Sequence, residues 1–219
     1  MPLDLEEQEQ LDQFKAFWHK YRNLITGVLT AALLVYAIYS GYQWWRNSQA
    51  ASAAQLYETM ISAVVKGDKE QSFQAADDLQ KQYARTPYSA MASLVAAKIA
   101  SDSGGAAKAI MYLRWAAAHA SNDGYLALAK MRLVSQLIED GSTQGSAEAD
   151  QILKETPVKG YEVLWYERRG DWYLAQKNTA QARSSYEAAW KQLDQAKEFP
   201  EEARRLLKVK LDAVGGLAK

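Results

Sequence analysis

Hydrophobic and polar positions fall into two regimes along this chain. Between residues 23 and 45 the sequence reads NLITGVLTAALLVYAIYSGYQWW, without one charged side chain, and Arg22 and Arg46 bracket it. At the rise of an α-helix this segment covers about 34 Å, enough to cross the ~30 Å hydrocarbon core of a bilayer. Trp18 and Tyr21 precede it and Tyr42, Trp44 and Trp45 close it, which sets aromatic rings at both lipid interfaces. A core helix of a soluble domain would keep a polar stripe. A cleavable signal peptide would find small residues at Ala51-Ser52-Ala53, but the acidic leader of residues 1–22 and Arg46 after the apolar run fit that reading poorly. The pattern predicts one retained transmembrane helix over 23–45.

From residue 53 the pattern turns amphipathic. Ala53, Leu56, Tyr57, Met60, Ile61, Val64 and Val65 recur at helical spacing, with Gln55, Glu58, Thr59 and Ser62 opposite them. Gly67-Asp68 ends this helix and opens another, carrying Phe73, Ala76, Leu79 and Tyr83, until Thr86-Pro87 stops it. Punctuation recurs at Ser103-Gly104-Gly105, Asn122-Asp123-Gly124, Gly141-Ser142, Thr156-Pro157, Lys177-Asn178 and Phe199-Pro200. Helices joined by short loops are expected throughout, so the predicted fold class is all-α.

Self-similarity narrows this to a repeat. Tyr166, Gly170, Tyr173, Ala182, Tyr186 and Ala189 stand at the bulky, small and aromatic positions of a tetratricopeptide helical hairpin. Small residues belong where the two helices cross, and rings fill the wider gaps beside the crossing. Stepping back from Gly170 to Ala97 gives Ala97, Ala100, Ala109, Leu113 and Ala116, a weaker copy. Two repeats plus a longer loop over residues 140–147 account for that offset. Arg169 stands where leucine is usual and Asp194 where proline is common, so the array is degenerate. About three hairpins and a terminal helix over 201–214 are expected. That helix carries Arg204, Arg205, Lys208 and Lys210 among Leu206, Leu207, Val209 and Leu211, and it would cap the stack.

Charge then sets orientation. Lys15, Lys20 and Arg22 precede the span and only Arg46 follows it closely, so residues 1–22 should lie in the cytoplasm and residues 46–219 in the periplasm of a bacterium. Asp4, Glu6, Glu7, Glu9 and Asp12 count little in that rule. The whole chain carries 26 basic and 26 acidic residues, and the part beyond the span shows no electrostatic footprint for nucleic acid. With no cysteine there is no disulfide, thiolate metal site or cysteine nucleophile. Gly27 with Ala31, and Ala37 with Gly41, have the spacing that lets helices approach in lipid, so oligomerisation is left open.

No constellation for catalysis stands out. His19 sits beside the span and His119 on an alanine-rich helix, without a matching nucleophile. Gly104-Gly105 lacks the lysine of a phosphate loop, and Asp77-Asp78 lacks the further ligands of a calcium loop. No enzyme activity, cofactor or metal is expected. Trp115, Trp165, Trp172 and Trp190 read as core more readily than as recognition groups. Repeat register instead nominates the first helices of the hairpins as a protein-binding groove, with Leu164, Glu167, Asp171 and Leu174 in the better copy and Met91, Leu94, Lys98 and Ser101 as their counterparts.

The order of these features resembles the YfgM family of bacterial inner-membrane proteins. The tail EEQEQLDQFKAFWHKYR, the Trp44-Trp45 exit, the stretch from Ala53 to Tyr57 and YSAMASLVAAKIA carry the resemblance, which covers nearly the whole chain. It implies association with the SecYEG translocon and with periplasmic chaperones, handling proteins as they leave the channel. It carries over no defined binding residue. A membrane-tethered interaction module, with membrane lipid around its anchor, is therefore the expected function; a structural scaffold in a cell-envelope or division complex is the alternative.

Overall fold

The computed structural model describes residues 5–195 and 200–216, with side chains from residue 12 onward. The carboxylates of Asp4, Glu6, Glu7 and Glu9, and Phe199 of the last loop, lie outside what is described. Among the described residues every regular element is a helix: α1 (Leu5–Lys66), α2 (Lys69–Gln82), α3 (Pro87–Asp102), α4 (Ala106–His119), α5 (Asp123–Asp140), α6 (Thr143–Lys154), α7 (Glu162–Ala175), α8 (Thr179–Gln195) and α9 (Glu201–Ala213). The chain divides into two units, residues 1–49 and residues 50–219.

In the first unit the described side chains belong to a single stretch of α1. It is long and apolar enough to cross a membrane, and no protein covers its apolar residues. Leu33, Val35 and Ile38 are 66%, 68% and 73% exposed. Exposed aliphatics at that density are unfavourable in water, whereas a lipid environment accommodates them. Two of its polar side chains bond locally: the Thr26 hydroxyl donates to the Arg22 carbonyl at 2.7 Å and the Gln43 amide to the Tyr39 hydroxyl at 2.9 Å.

The second unit is built from hairpins, and its helix starts follow from short polar side chains that meet free backbone donors. Asp68 accepts from the Gln71 N–H, Asn122 from Tyr125, Ser142 from Gly145 and Asn178 from Gln181, at 2.9–3.1 Å. Pro87 sits in the first turn of α3, where its missing N–H costs nothing. The hairpins are α3/α4, α5/α6 and α7/α8, preceded by the end of α1 with α2 and followed by α9, one pair more than the three expected. The long loop expected over 140–147 is absent. Gly141 at φ +65 ends α5, Ser142 caps α6 at once, and Thr143 is already helical. The polar run EDGSTQGSAE reads as loop only if the capping role of Ser142 is overlooked.

Two apolar cores hold the unit. One gathers Met60, Leu79, Ala97, Leu113, Met131, Leu137, Leu153 and Trp165 from the end of α1 through α7. The other gathers Ala182, Tyr186, Ala189 and Leu193 of α8 with Leu207, Leu211 and Val214 at the last helix. So α9 closes the stack with Leu207 and Leu211 on its inner face, leaving Leu206 and Val209 outward. Three tryptophans of the unit pack inward, Trp165 fully buried and Trp172 and Trp190 against the two cores, while Trp115 stacks on the exposed His119 with centroids 4.2 Å apart.

Candidate protein-binding face

Helices α3, α5 and α7 are the first members of successive hairpins and neighbour one another, forming one layer. On it, Lys98 and Ser101 of α3 meet Arg132, Ser135 and Gln136 of α5 around an open cavity of about 240 Å³, floored by Ala97 and Leu113. The cavity is cationic. Lys98 bonds Asp102 on its own helix at 2.5 Å, but both side chains are more than half exposed, so water weakens the pairing. Arg132 has no ion pair among the described residues. Two cations above an apolar floor, ringed by hydroxyl and amide groups, suit a segment that carries both an acidic and an apolar side chain.

On α7 the layer is closed differently. Lys210 of α9 reaches Glu167 at 2.6 Å and both carboxylate oxygens of Asp171 at 2.8 Å. Arg168 adds a 2.5 Å bond to Asp171, and the Tyr186 hydroxyl donates to the same carboxylate at 2.8 Å. Burial and then the Asp171 charge push the Tyr186 hydroxyl far above its ordinary pKa. This is a satisfied network in partly buried surroundings. Breaking it would strand carboxylates, which makes it first a clamp that holds α9 to α7.

The residues nominated by register are thus dispersed in environment. Lys98 and Ser101 line the cavity. Met91 is half-buried beside them on α3. Leu94 is only 4% exposed and belongs to the first core, so it supports the face from beneath and offers no surface of its own. Leu164 packs against that core, Leu174 is 44% exposed, and Glu167 with Asp171 is engaged by α9. Arg132 and Lys210 were missed from the sequence. Arg132 stands on the poorly preserved middle hairpin, where no register was available, and Lys210 acts across 43 residues, which no local spacing reveals.

Among the described residues no group of histidine and carboxylate side chains is arranged to hold a metal ion. His119 lies at the end of α4 with its Nδ1 2.9 Å from the Trp115 carbonyl, and His19 lies exposed on α1.

Residues 15–216 match the family described as tetratricopeptide repeat-like domain. A protein of Neisseria gonorrhoeae (strain ATCC 700825 / FA 1090), named Ancillary SecYEG translocon subunit, is 30% identical over 216 residues, covering 98% of this chain and 100% of the relative. A protein of Aggregatibacter actinomycetemcomitans with the same name is 25% identical over 192 residues, covering 86% and 91%. No solved structure matches. With helix pairs from the end of α1 to α8, an apolar span and relatives of matching length, the chain belongs to the YfgM family of tetratricopeptide repeat-like proteins.

Proposed function

We propose that this chain is a membrane-tethered protein-interaction module, an accessory of the SecYEG translocon that links the channel to periplasmic chaperones. In this reading residues 1–22 lie in the cytoplasm, 23–45 cross the bacterial inner membrane and 46–219 work in the periplasm. The observation that supports it is the layer of α3, α5 and α7 with its open cationic cavity at Lys98, Ser101 and Arg132. The names of the relatives supply the partner. Tethering raises the local concentration of the module near a membrane channel to the order of millimolar, so individually weak contacts suffice.

The groove comprises Met91, Leu94, Lys98, Ser101, Leu164, Glu167, Asp171 and Leu174, to which Arg132 is added, with Leu94 as a supporting residue. A photo-crosslinker replacing Ser101 in intact cells should yield adducts with translocon subunits or periplasmic chaperones. Adducts confined to division or envelope-scaffold proteins, or none at all, would sink the assignment. Protease treatment of spheroplasts should remove residues beyond 46 while sparing the first 22; the opposite pattern would invert the proposed orientation.

A further inference from the structure

Four tyrosines at the entry ends of the layer are not used by the cationic cavity. Tyr88 opens α3, Tyr125 lies in the first turn of α5 and Tyr161 immediately precedes α7, while Tyr57 projects from the end of α1. Tyr88 and Tyr161 share the offset that relates Ala97 to Gly170, so they occupy the same repeat position. The rings form a row. Tyr57 and Tyr88 have centroids 5.8 Å apart, and Tyr125 stands close enough to Tyr57 to raise its hydroxyl pKa, after the larger effect of burial. Tyr125 and Tyr161 line a common cavity of about 340 Å³ with Asn122, Gly124 and Leu128. The Tyr161 hydroxyl lies close to Gly124, where an added Cβ would stand 2.8 Å from it.

The hydroxyls distinguish this row from the buried tyrosines. Tyr112 and Tyr186 donate to Asp77 and Asp171. None of the four row hydroxyls has a hydrogen-bond partner among the described residues, and none is sealed from solvent, since the only sealed unpaired side-chain polar atoms are the indole nitrogens of Trp165 and Trp172. A phenol hydroxyl can both donate and accept, which matches the free N–H and C=O groups of an extended chain and not the satisfied backbone of a helix. Tyrosine also supplies contact area at low conformational-entropy cost. The cavity lining carries no charge, so it offers hydrogen-bond partners but no ion-pair partner to an entering side chain.

We infer that Tyr57, Tyr88, Tyr125 and Tyr161 form a recognition row for an extended, uncharged segment of another polypeptide. The inference rests on the protein-binding reading above and names the chemistry of the segment. With Tyr57 and Tyr88 5.8 Å apart and the other rings at the roughly 8–10 Å spacing of neighbouring helices, the four cover the length of about seven extended residues.

The test uses the full-length protein in nanodiscs and a twelve-residue peptide of leucine, serine, threonine and proline, blocked at both ends and labelled with a neutral fluorophore. Anisotropy should show binding, weakened about tenfold by Tyr125→Ala with Tyr161→Ala and about threefold by Tyr125→Phe with Tyr161→Phe, which keeps the rings and the fold. A matched peptide with two aspartates should lose less affinity on these tyrosine substitutions than the neutral one, because Lys98 and Arg132 offer it a separate cationic cavity. Equal affinity of all three proteins for the neutral peptide, or an equal tyrosine dependence for the acidic one, would overturn the row as the site. Loss of self-association instead of peptide binding would give the face to a second copy of the chain and overturn it too. The Ser101 crosslinking separates the two claims: adducts there with tyrosine-independent peptide binding remove only this inference, whereas tyrosine-dependent binding without adducts removes only the translocon assignment.

Discussion

The hairpins α3/α4 and α7/α8 occupy equivalent repeat positions, yet they solve the helix crossing differently. In α7/α8 the crossing pairs Gly170 with Tyr186, and the ring lies so close that a Cβ on Gly170 would stand 2.3 Å from a ring carbon. In α3/α4 the same two positions hold Ala97 and Leu113, both buried. One pair joins the smallest residue to a large one, the other a small residue to a middle-sized one, so the summed volume is nearly kept. What the repeat preserves is the filled space at the crossing and not the residue types. The difference has a second consequence. Only the tyrosine carries a hydroxyl to Asp171, so only α7/α8 couples its crossing to the ion-pair network that holds α9.

The largest effect is expected from breaking the tighter crossing. Gly170→Ala should cost roughly 3 kcal/mol, the upper part of the overpacking range, because a rigid buried ring must move. For a domain of this size that lowers Tm by about 6–12 °C in calorimetry. Adding Tyr186→Leu recreates the composition of the earlier crossing and should recover about 1–2 kcal/mol, the relieved clash being offset in part by the lost hydroxyl bond to Asp171. A double variant no more stable than Gly170→Ala alone would mean that the two crossings are not equivalent.

Next is the clamp. Lys210→Ala leaves Glu167 and Asp171 facing each other with only Arg168 between them, for a cost of roughly 2 kcal/mol in urea unfolding. Lys208→Ala, on the exposed side of the same helix, should stay within about 0.5 kcal/mol. Equal effects of the two would deny the clamp. Charge reversal at Glu167 or Asp171 is consequently a poor probe of partner binding, because it would loosen α9 before it altered any groove.

These two regions also mark how far the sequence was legible. The apolar span, the helix punctuation and the small residue at Gly170 come from local spacing, which is what an amphipathic helix encodes, whereas Tyr186, expected in a gap beside the crossing, packs directly on Gly170. The error over 140–147 arose because Ser142 and Gly145 look like loop residues until the cap they form is considered. The groove was legible in register only. Helical phase places Leu94 beside Met91 and Lys98, but whether that stripe is covered depends on which helices pack over it, a property of α4 and α5. Lys210 and Arg132 escaped for the same reason, their meaning being set by neighbours distant in the chain.

The tyrosine hydroxyls sharpen the comparison through pH. Tyr112, buried and bonded to Asp77, and Tyr186, buried beside Asp171, both have hydroxyl pKa values raised in the folded state. A raised folded pKa means that the native state holds its proton when the unfolded chain gives it up. The resulting stability is complete below the ordinary tyrosine value of about 10 and declines as pH rises above it, by about 1.4 kcal/mol per unit for each group. Tyr186→Phe and Tyr112→Phe should each cost roughly 1–2 kcal/mol at neutral pH and flatten the alkaline decline. A decline of unchanged steepness in the double variant would place its origin elsewhere.

The smallest effect is expected where the geometry looks strongest. Arg114 of α4 meets Glu148 of α6 through two bonds, at 2.8 and 2.5 Å, a shorter pairing than that of Lys210. Its arginine is 49% exposed, whereas Lys210 is 22% exposed with partners at 13% and 21%. Water and salt compete for the first pair and far less for the second. A double-mutant cycle on Arg114 and Glu148 should therefore give a coupling of only about 0.5 kcal/mol, nearly lost in 1 M salt, while coupling between Lys210 and Asp171 persists there. If both couplings vanished together, α9 would be held by its apolar face and by Arg204, which pairs with Asp194 and lies over the Trp190 ring. Leu207 and Leu211 would then be the residues that decide whether the last hairpin stays closed.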